Sequence, residues 1–409
     1  MQTLFKHKKI LILTSASIAL YKILDLISTL RKYDAHIKVV MSPESEAFIA
    51  PLSFEALSQN IVLTQESQSW TAEGANHISY AKWADVVLIA PATANTIAKI
   101  VAGIADNVML STLLATNAPK ILAPAMNTQM LRAPQTQENI HKLQAMGYRI
   151  VDSRVSKLAC GDEGEGAIAD VNQIIFALAS SLSCDSFWTE KRVIITGGGS
   201  IENIDEVRYI SNHSSGKQAS FLALALYLRG AKVSLIASSF PVILPLGIKQ
   251  IPAQSVQDFS CAIQTEINQN LADCIDSKPI IFMAAALADF IPMQSFQGKL
   301  KKEQVGKHLE ITCEQSQDIL LGLDSSCVCK IGFKAELDAP NALQSAKAML
   351  TQKQCEMVCL NVISPTCPFG GDSNRMTLIA KDEVFEVGEC SKFDTALAIA
   401  DFYKKIASR

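Results

Sequence analysis

KRVIITGG, residues 191–198, is followed by a loop, a helix-patterned stretch over Lys217–Arg229 and the apolar run KVSLIAS at 232–238. Strand, small-residue turn, helix, strand is a βαβ unit, and such apolar runs suit strands buried on both faces. The chain begins the same pattern earlier with KKILILTS (8–15), helical periodicity over Ile18–Lys32 and HIKVVMS (36–42). Further buried strands are expected at DVVLIAPAT (85–93), APKILAPAM (118–126) and YRIVD (148–152). Others follow at PIIFMAAALAD (279–289), CKIGF (329–333) and MVCLNV (357–362). A hairpin should pair Met376–Ala380 with Val384–Val387, and KFDTALAIADFYKKIAS (392–408) has the period of a closing helix. Polar FALASSLSCDSFWTEK (176–191) separates the halves. The expected fold class is α/β, with two Rossmann-like parallel-sheet domains over 1–185 and 186–409.

Ligands in such sheets sit at the carboxyl ends of strands. That directs attention to Thr14–Ser17, Ser42–Pro43, Pro91–Asn95, Pro124–Met130, Thr196–Ser200, Ala284–Asp289 and Phe333–Glu336.

The 409 residues leave room for two or three cores, and 49% hydrophobic against 19% charged residues excludes a disordered chain. A net charge of −3 gives no electrostatic reason to expect nucleic acid or an anionic membrane as partner. No apolar run reaches the roughly 18–20 residues of a membrane span. The start, MQTLFKHKKILILTSAS, is basic then apolar like a signal peptide. Its apolar run is short and passes directly into a helical pattern, so a first strand and a cytoplasmic protein are expected. Eleven cysteines lack the spacing of a metal site, and in a reducing compartment most are small buried hydrophobes.

Three features of the first half carry chemistry: His77 in GANHISYAKWAD, the turn PAMNTQM (124–130), and Cys160 in the Gly-rich LACGDEGEGA (158–167). Each has an ordinary reading: a capping histidine, an Asn tolerated in a turn, a packed thiol. A thiol on a Gly-rich loop is also accessible in the way a proton donor must be.

Together, SASIALYK (15–22), HI (77–78), APATANTIAKIVAGIADN (90–107), PAMNTQM and ACGDEGEG resemble the homo-oligomeric flavin-containing cysteine decarboxylases over about residues 5–182. That family includes phosphopantothenoylcysteine decarboxylase. The resemblance implies FMN held by Ala16, Ser17 and Ile18, by Ser42, by Thr93, Ala94, Asn95 and Thr96, and near Ala125. A helix N-terminus with small residues suits the FMN phosphate. The resemblance also implies that His77 assists substrate oxidation, Asn127 binds the substrate carboxylate and Cys160 protonates the product enethiolate. The implied sequence is oxidation of the cysteinyl thiol to a thioaldehyde, decarboxylation to a sulfur-stabilised carbanion, and return of the electrons. Two departures are visible: Ala16-Ser17 where the family often has Gly-Gly or Gly-Ser, and Ala167 where its flap usually ends GxGR.

In the second half, ISNHSSGKQA (210–219) invites comparison with a phosphate loop. GxxxxGK[ST] requires Gly at 211 and Ser or Thr at 218, where Ser211 and Gln218 stand, so the motif fails at both ends. TGGGS (196–200) follows a strand but is no GxGxxG fingerprint. AAALADF (284–290) and GKLKKE (298–303) combine backbone access, an Asp and three lysines suited to phosphates, although a charge run is more often a solvated loop.

VRYISNHSSGK, AAALADF, GKLKK, QDIL (317–320), GFKAE (332–336) and GDSN (371–374) resemble phosphopantothenate–cysteine ligase over about residues 190–405. The whole chain therefore resembles the bifunctional bacterial decarboxylase/ligases of coenzyme A biosynthesis. The resemblance implies that 4'-phosphopantothenate attacks CTP with Mg2+ assistance, giving an acyl-cytidylate that L-cysteine opens to phosphopantothenoylcysteine. It implies a CTP site of Met283, Ala284, Asp289, Lys299, Gln317, Asp318, Ile319, Leu320, Phe333 and Lys353, with Lys347 the rival of Lys353. Asn212 matches the residue that processes the acyl-cytidylate, and Lys299 the lysine that helps form it; metal ligands are not specified. A homo-oligomer is implied, with decarboxylase trimers, FMN near subunit contacts and ligase dimers; a dodecamer satisfies both. Departures are Ser200-Ile201-Glu202 near the first turn, Ser316-Gln317 before Asp318, and Asn361-Val362. Two other readings are a decarboxylase with a degenerate nucleotide-binding module and a non-catalytic FMN-binding regulator. Asn212, Asp289 and Lys299 speak against the first, Cys160 against the second.

Overall fold

Strand β1 (Lys9–Thr14) has five successive buried residues, as a parallel strand covered on both faces must. The computed structural model describes residues 1–71, 75–157, 163–272, 277–301, 303, 306, 308–337, 341–363, 368 and 370–409. Within these the chain forms two compact units, Met1–Ser183 and Cys184–Arg409. Asp185 belongs with the second unit, where its carboxylate accepts from Lys404 at 2.6 Å and faces Arg229.

In the first unit, β1, β2 (His36–Met41), β3 (Val86–Ala92), β4 (Lys120–Pro124) and β5 (Arg149–Ile150) form one parallel sheet in the order 2-1-3-4-5. The helix Leu20–Lys32 buries Leu20, Ile23, Leu26, Ile27 and Leu30, the three-and-four spacing of one helical face. An antiparallel hairpin, β6 (Arg154–Lys157) and β7 (Glu163–Ala167), follows the sheet.

The second unit begins with β8 (Arg192–Gly197), the ribbon β9 (Ile201–Asn203) with β10 (Tyr209–Ser211), β11 (Lys232–Ala237) and β12 (Lys249–Pro252). It continues with β13 (Ile280–Met283), the pair β14 (Phe290–Pro292) and β15 (Cys313–Gln315), β16 (Cys329–Leu337) and β17 (Met357–Ile363). The hairpin β18 (Ser373–Ala380) and β19 (Val384–Ser391) and the helix Lys392–Ala407 complete it. The eight-stranded sheet runs β12-β11-β8-β13-β16-β17-β18-β19. Counting only its six parallel strands, that order is 3-2-1-4-5-6, the Rossmann order, with an antiparallel hairpin added at one edge. The α/β expectation holds. The first sheet has the flavodoxin-like order and the second the dinucleotide-fold order.

The run 279–289 was expected as one strand, but it leaves the sheet after Met283. The Ala285 amide turns to Thr196 Oγ1 at 3.1 Å and the Ala286 amide to the Gly198 carbonyl at 2.8 Å.

Candidate active sites

The order 2-1-3-4-5 reverses direction between β1 and β3, which opens a crevice at their carboxyl ends. Ser15 ties the two ends together. Its hydroxyl donates to the Pro91 carbonyl at 2.7 Å and accepts from the Thr93 amide at 3.2 Å. Ala16, Ser17, Ile18, Thr93, Ala125 and Asn127 then line one cavity of about 710 Å³. Ser42, at the end of β2, is buried, and its Oγ has no hydrogen-bond partner among the described residues. A buried hydroxyl without a partner points to a ligand group. Thr93 caps the helix Ala94–Val101 by accepting from the Thr96 amide at 3.2 Å. Ala94 is half-buried, Asn95 exposed and Thr96 buried in that first turn, outside the cavity lining. Ser42 also lies outside the lining, and the small-residue turn and the volume of the cavity fit a flavin mononucleotide.

Asn127 is exposed and caps the helix Thr128–Arg132, accepting from the Gln129 amide at 2.8 Å. Its turn is stitched to β7. The Met126 amide donates to Gly166 O at 3.0 Å, Thr128 Oγ1 to Glu165 O at 2.6 Å, and Arg132 pairs with Glu165 at 3.1 Å. Gly166 has φ +120°, and a Cβ there would overlap the Met126 carbonyl, so this approach requires glycine. Cys160 lies outside the described residues. His77 is half-buried at the start of the helix His77–Trp83, with Nδ1 2.9 Å from Gln68 Oε1 and its ring edge-on to Trp70. It does not line the cavity. Arg154, a lining residue, was not singled out from sequence.

In the second unit the direction reverses between β8 and β13, and two cavities share Ala285, Ala286, Phe333, Lys334 and Ala335. The larger, about 370 Å³, is lined by Met283, Asp289, Gln317, Asp318, Ile319, Leu320, Phe333 and Lys353. The smaller, about 170 Å³, takes in Ala284, His213–Gly216, Asn361 and Lys392. Asn361 Oδ1 is buried without a hydrogen-bond partner among the described residues. Gly216 caps the helix Lys217–Leu228 at φ 71°, the left-handed conformation glycine tolerates.

Asp318 caps the short helix Ile319–Gly322 by accepting from the Leu321 amide at 3.0 Å, and it pairs with Lys353 at 2.8 Å. Burial pushes the Asp318 carboxyl up, but Lys353 and the Leu321 and Leu320 amides outweigh this and hold it below its ordinary value. Lys347 is exposed and lines neither cavity. Lys330, 2% exposed, gives its ammonium to the carbonyls of Leu323 at 3.0 Å and Leu320 at 3.4 Å. The segment Gln317–Leu320 is thus held between two lysines, of which sequence reading found only Lys353.

Asn212 is exposed and donates from Nδ2 to the Leu287 carbonyl at 2.9 Å, within the loop that lines the larger cavity. Lys217 is committed to Asp372 at 2.7 Å and the Gly370 carbonyl at 3.3 Å. Lys299 is exposed and lines neither cavity. Buried Asp205 fixes its loop, accepting from the Leu300 amide at 3.1 Å, while Arg208 donates to the Leu300 carbonyl at 3.0 Å. Among the described residues no cluster of three or more His, Cys, Asp or Glu is gathered for a metal, and no helix is long and apolar enough to cross a membrane.

A flavodoxin-ordered unit with an FMN-sized cradle, followed by a Rossmann-ordered unit with a divided cleft, defines a two-unit α/β flavoprotein. Residues 2–183 match the family model "Flavoprotein", and residues 188–406 match "DNA/pantothenate metabolism flavoprotein C-terminal domain". The coenzyme A biosynthesis bifunctional protein CoaBC of Haemophilus influenzae is 34% identical over 98% of each chain. Its counterpart in Bacillus subtilis is 34% identical over 97% of this chain and 96% of that one. The Escherichia coli protein is 33% identical over 92% and 91%. Among solved structures, a PPC decarboxylase mutant complexed with pantothenoylaminoethenethiol is 30% identical, covering 42% of this chain and 97% of that one, with a TM-score of 0.39. The C-terminal domain of a CoaBC protein is 27% identical over 55% and 99%, with a TM-score of 0.44. The chain belongs to the family of coenzyme A biosynthesis bifunctional proteins, which are two-domain enzymes.

Proposed function

We propose that the second unit joins L-cysteine to 4'-phosphopantothenate at the expense of CTP, and that the first unit decarboxylates the phosphopantothenoylcysteine to 4'-phosphopantetheine. The observation that supports this reading is one strand-end cleft per unit, the first lined by Ala16, Ser17, Ile18, Thr93, Ala125 and Asn127 and the second by Met283, Asp289, Gln317, Asp318, Phe333 and Lys353.

In the ligase cleft, Lys353, Asp318 and the neighbouring backbone hold the nucleotide, and Met283, Ala284, Asp289 and Phe333 form its walls. The adjoining smaller cavity receives the acyl partner, so Ala285 and Ala286 lie where carboxylate and α-phosphate meet. Lys299, assisted by Mg2+, neutralises charge as the acyl-cytidylate forms; Asn212 orients that adduct for the cysteine amine. In the decarboxylase cleft, FMN supplies reversible two-electron oxidation of the thiol carbon. Ser17, Ser42 and the capped turn at Thr93 hold it, Asn127 binds the substrate carboxylate, and Cys160 donates the proton that completes the product. His77 lies outside the single-chain cavity, which supports a homo-oligomer in which a second copy completes the site; trimers of one unit and dimers of the other make a dodecamer. The enzyme acts in the cytoplasm.

The test supplies 4'-phosphopantothenate, cysteine and CTP to the full chain, then measures 4'-phosphopantetheine, carbon dioxide and CMP. Product formed without CTP, or equally well with ATP, removes CTP from the reading. Lys330→Met should raise the KM for CTP about tenfold, because the carbonyls it held lose a charged donor. Its melting temperature should fall, since two carbonyls that Lys330 satisfied are left without that donor. An unchanged KM would show that Lys330 does not position the nucleotide segment.

A further inference from the structure

Two cations, Arg154 and Lys22, line the cavity of the first unit, and among the described residues no Asp or Glu does. They come from different elements. Lys22 lies in the first turn of the helix Leu20–Lys32, and Arg154 opens the hairpin, paired across it with Ala167. Ala167 also lines the cavity, so the register sets Arg154 at the cavity rim opposite a side chain too short to fill it. Among the described residues Arg154, which is exposed, has no carboxylate within ion-pair distance. Burial pushes the Lys22 ammonium down and the Arg154 charge pushes it further, with Asp170 opposing. Two like charges are thus held facing one volume that no described carboxylate lines, in a chain whose net charge is −3. Such an arrangement is relieved by an anion.

We propose that Arg154 and Lys22 form a phosphate-monoester site on the wall of this cavity. A guanidinium fork matches two phosphate oxygens, and an ammonium beside it adds a point charge. A dianionic monoester uses both better than a single carboxylate does. The inference rests on the proposed flavoprotein decarboxylase reading, in which both FMN and the substrate end in such a group.

The experiment uses the full chain with Arg154→Gln, Lys22→Gln and Arg154→Lys. Flavin fluorescence quenching gives dissociation constants for FMN and riboflavin, and steady-state kinetics give KM for phosphopantothenoylcysteine and for its dephosphorylated analogue. The Gln variants should weaken one phosphorylated ligand about tenfold to a hundredfold, the effect of one or two charge-assisted hydrogen bonds, and leave its dephosphorylated partner unchanged. Arg154→Lys should recover part of the loss. A change confined to FMN assigns the site to the cofactor phosphate; one confined to phosphopantothenoylcysteine assigns it to the substrate phosphate. Equal losses for phosphorylated and dephosphorylated ligands, or no loss in either pair, overturn the site. Wild-type protein that fails to quench FMN overturns the flavoprotein reading instead, so the two failures are distinguishable.

Discussion

Cys160→Ser lowers formation of 4'-phosphopantetheine by about 10²–10⁴-fold while FMN binding and CTP-dependent ligation stay at wild-type levels, if Cys160 is the proton donor. A thiol titrates near 8.5, close enough to neutrality to give up a proton in the transition state, whereas a serine hydroxyl does not. The variant should accumulate the oxidised, decarboxylated intermediate, read as carbon dioxide released without 4'-phosphopantetheine. Full turnover by Cys160→Ser removes it from the mechanism. Gly166→Ala, on the strand that follows it, separates docking from chemistry. Its Cβ would overlap the Met126 carbonyl at a φ that disfavours any side chain, so the hairpin can no longer lie against the PAMNTQM turn. That variant should weaken FMN binding about tenfold or more as well as turnover, which Cys160→Ser should not, because the strain falls on the cavity wall itself.

The central strands were legible because burial on both faces leaves continuous apolar runs. Ile10 to Leu13, Val86 to Ile89 and Val193 to Ile195 are all buried. The edge strand β12 was not legible. Its KQIP has two exposed polar residues and a proline, and it is a strand only because β11 pairs with it. The end of β13 was misjudged because Ala284–Asp289 is as apolar as a strand. Thr196 and Gly198, almost 90 residues earlier, draw its amides away. The site residues divide in the same way. Those at strand ends, such as Ala16, Thr93 and Ala284, could be placed from local pattern. Lys330 and Arg154 could not, since a lysine in CKIGF reads as solvated and an arginine after a short strand reads as surface. Their roles arise from groups that only the fold brings near. His77 shows the converse: its motif is clear, but the single chain leaves it outside the cavity it was expected to serve.

Lys299→Gln slows CTP-dependent pyrophosphate release by about 10²–10³-fold, the cost of removing one donor from a developing phosphoryl charge, without altering flavin binding. Lys299 is exposed on a loop outside both cavities, so the loop must be held for the lysine to act. Asp205 does this. Burial pushes its carboxyl up, but the Val207, Leu300 and Arg208 amides and the Arg208 charge outweigh that and depress it. Its anchoring is therefore present above the ordinary carboxylate range and lost only as pH falls through the depressed value. Asp205→Ala should raise the KM for CTP while a saturating nucleotide restores much of kcat, because the lysine is still present but less often in place. Lys299→Gln should lower kcat at every CTP concentration. Equal pyrophosphate release by Lys299→Gln and wild type would show that the charge on this loop does not act on the nucleotide. A KM unchanged in Asp205→Ala would show that the loop needs no such anchor.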